Sequence, residues 1–115
     1  DQISFQHDFQ PVPGKPGHYT LFDNGNLRDE KYSRAVEYQL DTINMRAEKI
    51  WEYRHDPDRF SRVMGNAQRL PNGNTLVNWG GDDLPVITEL GPDSVVVYEA
   101  DFSTDMNNYR TFRFA

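Results

Sequence analysis

Apolar and polar side chains alternate through residues 34–40, with Ala35, Glu37 and Gln39 on one side of an extended chain and Val36, Tyr38 and Leu40 on the other. A period of two suits a half-buried strand. It outweighs the helix that Ala, Glu, Met and Arg would favour across residues 31–55. Ile50 and Glu52 against Trp51 and Tyr53 continue the alternation, so the two stretches are expected to form a hairpin joined through residues 41–46. Turn residues gather at 11–17, 23–26, 71–74, 80–85 and 91–92. The segments left between these clusters, at 19–22, 33–40, 49–53, 74–79, 86–90 and 95–100, are rich in β-branched and aromatic residues and predict strands.

The chain also resembles itself. Gln10 falls on Gln68, Pro13 on Pro71, residues 20–25 on 75–80, Glu37 on Glu89 and residues 51–53 on 98–100. The offset drifts from 58 at Gln10/Gln68 to 47 at Trp51/Tyr98. A period of about 50 residues with roughly four strands per unit is that of a β-propeller blade. The expected fold is all-β, about two four-stranded antiparallel blades of a propeller, with units at approximately 1–60 and 61–115. Two blades cannot close a ring of about 4 to 8. The remaining blades are expected from the same parent chain or from other copies, three of which would make six. A small β-sandwich is the alternative.

Composition narrows the partners. Twelve basic and 18 acidic residues give a formal charge of −6, and no cluster of basic residues offers a positive face, so nucleic acid is not expected. The longest apolar runs, such as residues 95–98, are far short of the roughly 20 residues of a membrane span. With no cysteine there are no disulfides or thiolate ligands. The chain starts at Asp1 without the apolar core of a signal peptide, and reads as a mature, trimmed or excised segment.

Three histidines could carry chemistry. His18 and His55 read as loop residues. His7 lies in residues 3–10, the expected innermost strand of its blade, where a propeller lines its central channel. Alternation puts Phe5, His7 and Phe9 on one side and Gln6, Asp8 and Gln10 on the other, so Asp8 is not expected to orient the His7 ring. Asp23-Asn24-Gly25 and Asp82-Asp83 are metal-ligand types, but acidic residues beside glycine are first of all turn chemistry. EF-hand spacing is absent, so neither a metal nor a cofactor is expected. Gly80-Gly81 lacks the Lys-Ser/Thr of a phosphate loop. Trp51, Tyr53, Trp79 and Tyr98 are expected to pack between blades.

Gln6-His7, then Leu21-Phe22-Asp23-Asn24-Gly25, then Tyr32-Ser33-Arg34-Ala35-Val36-Glu37-Tyr38, then Lys49-Ile50-Trp51-Glu52-Tyr53, in this order, resemble the arylsulfate sulfotransferases. Gln68-Arg69-Leu70-Pro71-Asn72-Gly73-Asn74-Thr75-Leu76 extends the resemblance over nearly the whole chain, matching the later part of that family's six-bladed catalytic propeller. The resemblance implies that an aryl sulfate donates its sulfuryl group to a channel histidine, and that the sulfohistidine passes it to a phenolic acceptor without a nucleotide donor. His7 matches that histidine. Asp8 stands where many members have Thr, and the family's further histidines and arginine, from earlier blades, have no counterpart here. The isolated segment is therefore expected to be inactive. Export, often to the periplasm, is also implied.

The chemistry needs little else from this stretch. A neutral imidazole, available near neutral pH because its ordinary pKa is about 6.5, attacks sulfur in line. The sulfuryl oxygens need aimed cationic or N–H donors, and a leaving phenolate with pKa about 10 benefits from a general acid. Those groups are expected from outside the segment, with Asn66, matched to Asp8 in the repeat, as a channel-side substrate contact. The alternative is a catalytically inactive propeller segment serving ligand binding or assembly, since fold alone does not imply activity.

Overall fold

The computed structural model describes residues 2–81, 86–102 and 107–114, so Asp82 and Asp83 lie outside the described residues. Eight strands form, β1 (His7–Pro11), β2 (His18–Asp23), β3 (Arg34–Asp41), β4 (Arg46–Tyr53), β5 (Asn66–Arg69), β6 (Thr75–Asn78), β7 (Val86–Leu90) and β8 (Val96–Asp101). They make two antiparallel sheets in the orders β1-β2-β3-β4 and β5-β6-β7-β8. Each sheet is a meander of four consecutive strands with no strand crossing to the other, as in propeller blades. The β3–β4 turn is held by Asp41, whose Oδ1 accepts from the backbone N–H groups of Ile43 and Asn44 at 3.0 Å each. No helix among the described residues is long and apolar enough to cross a membrane.

The core lies between the sheets. Phe22 and Ala35 of the first sheet meet Ala67, Val77, Trp79, Val86 and Leu90 of the second, with Trp51 and Tyr53 packed against them. Trp79 stands edge-on to Phe22 with ring centres 5.7 Å apart and lies tilted against Tyr53 with ring centres 6.1 Å apart. Burying side chains of this size stabilises by about 1.5–3 kcal/mol each, so the two sheets hold each other. Tyr98 differs from its expected place: it is 57% exposed on the far face of the second sheet, over which no third sheet lies among the described residues.

Register defines the internal repeat. Gln10, Thr20, Glu37 and Trp51 form one row across the first sheet, and Gln68, Leu76, Glu89 and Tyr98 form the same row across the second. The match of residues 20–25 with 75–80 is therefore one residue out. Because side chains alternate, a one-residue slip exchanges faces. Thr20 points at the second sheet and donates to Ala67 O at 3.0 Å, and its counterpart by register, Leu76, points the same way from the second sheet, towards residues 111–114.

Polar ties follow the same repeat. Glu37, 1% exposed, accepts from Arg69 Nε at 2.9 Å and Nη2 at 2.5 Å and meets His18 Nδ1 at 2.9 Å. The Arg69 guanidinium also lies 4.1 Å above Trp51. In the second unit Glu89 accepts from Asn74 Nδ2 at 2.7 Å and from Arg113 Nη1 at 2.6 Å. His18 is thus the first residue of β2 rather than a loop residue. His55, just after β4, is only 9% exposed: its Nδ1 meets Pro57 O at 2.8 Å, its Nε2 meets Glu99 at 2.9 Å, and its ring stands edge-on to Trp79.

Candidate active site

β1 does not run as regular alternation requires. His7 opposes Phe22 and Gln10 opposes Thr20, so Asp8 and Phe9 together face Leu21 in a β-bulge. Asp8 adopts φ 59°, a left-handed conformation that Asp tolerates better than most residues. Since Thr20 and Phe22 share a face, His7 and Gln10 share it too, contrary to strict alternation. The bulge also changes the repeat: the register counterpart of His7 is Asn66, opposite Asn78, so Asn66 does not match Asp8.

The His7 ring is half-buried and its Nδ1 lies 2.8 Å from Asn24 Oδ1. Asn24 is fully buried, and its Nδ2 donates to Ser61 O at 2.8 Å and Met64 O at 3.0 Å. Turning the amide over would aim its oxygen at two carbonyl oxygens, so these contacts fix the amide with Oδ1 towards His7. An acceptor at Nδ1 requires a hydrogen there. In the neutral ring the lone pair is then on Nε2.

Neighbouring residues hold Asn24 in place. The buried Asp23 carboxylate accepts from Ser4 N at 3.0 Å and Arg34 Nε at 2.9 Å, and pairs with Arg28. Gly25, at φ 76°, sits where a Cβ would come 2.4 Å from Tyr32 O, so only glycine fits. Ser33 accepts from Ser61 N at 2.8 Å and its N–H donates to Arg59 O at 2.7 Å, binding the 59–65 loop to β3. The Asp-Asn-Gly run is thus a buried scaffold for the histidine rather than a solvent turn.

Asp8 does not contact the His7 ring nitrogen that Asn24 occupies. Its carboxylate takes a hydrogen bond from Gln10 and lies 3.6 Å from Arg110 Nη1. Burial is the largest influence on it and, against the opposing effects of Gln10, Arg110 and His7, leaves its pKa above the usual carboxylate range. Asn66 is fully buried and commits both ends of its amide to Thr111, donating to the carbonyl at 2.7 Å and accepting from the N–H at 2.8 Å. His18 and His55 are engaged with Glu37 and Glu99, away from His7. Among the described residues no three His, Cys, Asp or Glu side chains gather as a metal site.

The profile of the arylsulfotransferase (ASST) family matches residues 1–113. The chain belongs to this family. It is similar to the arylsulfate sulfotransferase AssT of Escherichia coli O6:H1 (strain CFT073), with 32% identity over 56% of this chain. The matched region is 12% of that relative, so the chain spans a small part of its length.

In this arylsulfotransferase-family chain, sequence reasoning missed Asn24, which contacts His7, and Arg110, which reaches Asp8 beside it. Asn24 carried a signal, because it lies inside the Asp23-Asn24-Gly25 run, but the same three residue types describe an ordinary turn. Arg110 lies beyond the last expected strand and carried none.

Proposed function

We propose that this arylsulfotransferase segment supplies the nucleophile of a nucleotide-independent transfer, in which a sulfuryl group passes from an aryl sulfate to a phenolic acceptor through a sulfohistidine on His7. The observation that carries the reading is the Nδ1 contact with Asn24, which leaves the Nε2 lone pair available. In the first half-reaction Nε2 forms a bond to sulfur as the aryl O–S bond breaks, and the electron pair leaves with the phenolate, which takes up a proton. In the second the acceptor's phenolic oxygen attacks sulfur, the N–S bond breaks, and the acceptor's proton is released. The ring returns to its starting state, so the chemistry needs no metal or organic cofactor.

Asn66 in this reading ties down residues 107–114 rather than touching substrate, because both ends of its amide are occupied. The remaining blades and their charged groups come from the parent chain or from further copies, and the 115-residue segment alone is inactive. Export to the periplasm or medium goes with the family and is checked by cell fractionation.

The test uses the intact protein, a chromogenic aryl sulfate and a phenol, without nucleotide. Release of coloured phenolate and a sulfuryl mass adduct on His7 are expected, and both should vanish in His7→Asn. Persistence of turnover in that variant would overturn the assignment. Nitrogen-15 NMR of the neutral His7 ring should show a protonated Nδ1 and a bare Nε2; the opposite tautomer would remove the structural basis of the reading.

A further inference from the structure

Residues 107–114 form no strand, yet they are fastened along β5 by side chains that imitate backbone. Asn66 brackets Thr111, and Gln68 does the same to Arg113, donating to its carbonyl at 3.0 Å and accepting from its N–H at 2.8 Å. Asn78 Nδ2 donates to Asn108 O at 3.0 Å and Gly65 N to Tyr109 O at 3.3 Å. Arg113 meets Glu89 as Arg69 meets Glu37, and Glu89 and Glu37 occupy the same row of their sheets. Residues 107–114 therefore stand to the second sheet as β5 stands to the first, in the place of a third innermost strand.

The correspondence assigns positions. Asn66 precedes Arg69 by three residues and Arg110 precedes Arg113 by three. Asn66 is also the register counterpart of His7. His7, Asn66 and Arg110 thus hold one level in three successive inner segments. An independent contact agrees: Arg110 Nη1 lies 3.6 Å from Asp8 Oδ1, on the residue next to His7.

We propose that Arg110 binds the sulfuryl oxygens of the donor beside His7, an assignment that rests on His7 being the nucleophile. Its guanidinium is a planar fork suited to oxyanions. The side chain is 39% exposed and its pairing with Asp8 is longer than the roughly 2.7–2.9 Å of a tight charge-assisted bond, so the cation is both held at Asp8, the residue next to His7, and open to a second anion. Asp8, at 4% side-chain exposure, keeps the guanidinium at the level of the histidine while the site is empty. The ligand class follows from the chemistry: a compact oxyanion on an aromatic ring, with the charge facing Arg110 and the sulfur facing Nε2. The direction of the Asp8 pKa fits a carboxylate only partly compensated by its cation.

The experiment compares Arg110→Gln, Arg110→Lys and His7→Asn in the intact protein, with turnover of a chromogenic aryl sulfate and, in the non-reacting His7→Asn background, calorimetric binding of the same donor. Arg110→Gln should lower kcat/KM about 100-fold, the scale of losing one oxyanion donor, and should weaken donor binding to His7→Asn protein. Arg110→Lys, which keeps the charge without the fork, should recover about a tenth of the parent rate. Melting curves show whether each variant folds, and the lysine variant keeps the question open to measurement if the glutamine variant does not. Donor turnover and binding unchanged within twofold in Arg110→Gln would overturn the assignment while leaving His7 untouched. Persistent turnover in His7→Asn together with weakened binding in Arg110→Gln would instead sink the nucleophile and leave the anion site standing.

Discussion

Glu37 and Glu89 occupy one row of successive sheets, each facing an arginine from the segment that follows, but their surroundings differ. The Glu37 side chain is 2% exposed and Arg69 19%, whereas Glu89 is 11% and Arg113 54% exposed. Removing one partner of a buried pair costs about 3–5 kcal/mol, and Glu37→Gln falls at the lower end, about 3 kcal/mol, because the amide oxygen still accepts one hydrogen bond. At Glu89 the arginine is more than half exposed, so water screens that pair and it contributes about 0.2–1 kcal/mol. Hydrogen exchange of the β2 and β5 amides should therefore accelerate more in Glu37→Gln than in Glu89→Gln, by about 30-fold for a difference of about 2 kcal/mol. Burial opposes ionisation of Glu37, but the hydrogen bonds from His18 and Arg69 and the charge of Arg69 outweigh it and hold its carboxyl below the usual range. The contribution is thus complete above about pH 4.3, the ordinary Glu value, and is lost as pH falls through the lower folded-state value. That acid limb should flatten in Glu37→Gln. Equal acceleration in the two variants, or an unchanged acid limb, would refute the argument that burial sets the strength of these ties.

Two further substitutions separate packing from charge. Gly65 has φ 103°, and an added Cβ would come 2.4 Å from Phe22 Cδ1 in the core. Left-handed strain of about 1–2 kcal/mol and overpacking of a similar size should make Gly65→Ala about 3 kcal/mol less stable in denaturant unfolding; no change in midpoint would mean the loop relaxes freely. Asp8 is the reverse case of Glu37: its pKa is raised by burial, so its ionisation costs stability as pH climbs from about 3.9 through the folded-state value. Asp8→Asn should melt higher than the parent at pH 7 and alike at pH 3, and a lower melting temperature at pH 7 would contradict that sign.

Much of the architecture was legible because strands announce themselves locally. The alternation at residues 34–40 and the hairpin expected through residues 41–46 reappear as β3, β4 and the turn between them, within about a residue at most ends. What sequence could not supply was phase. Thr20-Leu21 and Thr75-Leu76 look alike, yet Thr20 stands level with Leu76, because register is chosen by which face meets the neighbouring sheet and not by residue identity. The bulge at Asp8 was hidden for the same reason: an unpaired residue leaves no mark in the hydrophobic pattern. His7 was visible as a channel candidate, but its partner Asn24 is distant in sequence and resembles a turn residue until its two N–H donors are traced to Ser61 and Met64.

The bulge has a further consequence for how the chain tolerates change. One supernumerary residue works as a clutch between the stretch bearing the imidazole and the rest of β1, so insertions or deletions upstream need not disturb the pairing of Gln10 and Pro11 with β2. Within the clutch the tolerance reverses, since losing a single residue there would rotate the imidazole to the opposite side and present Gln6 to Asn24 instead.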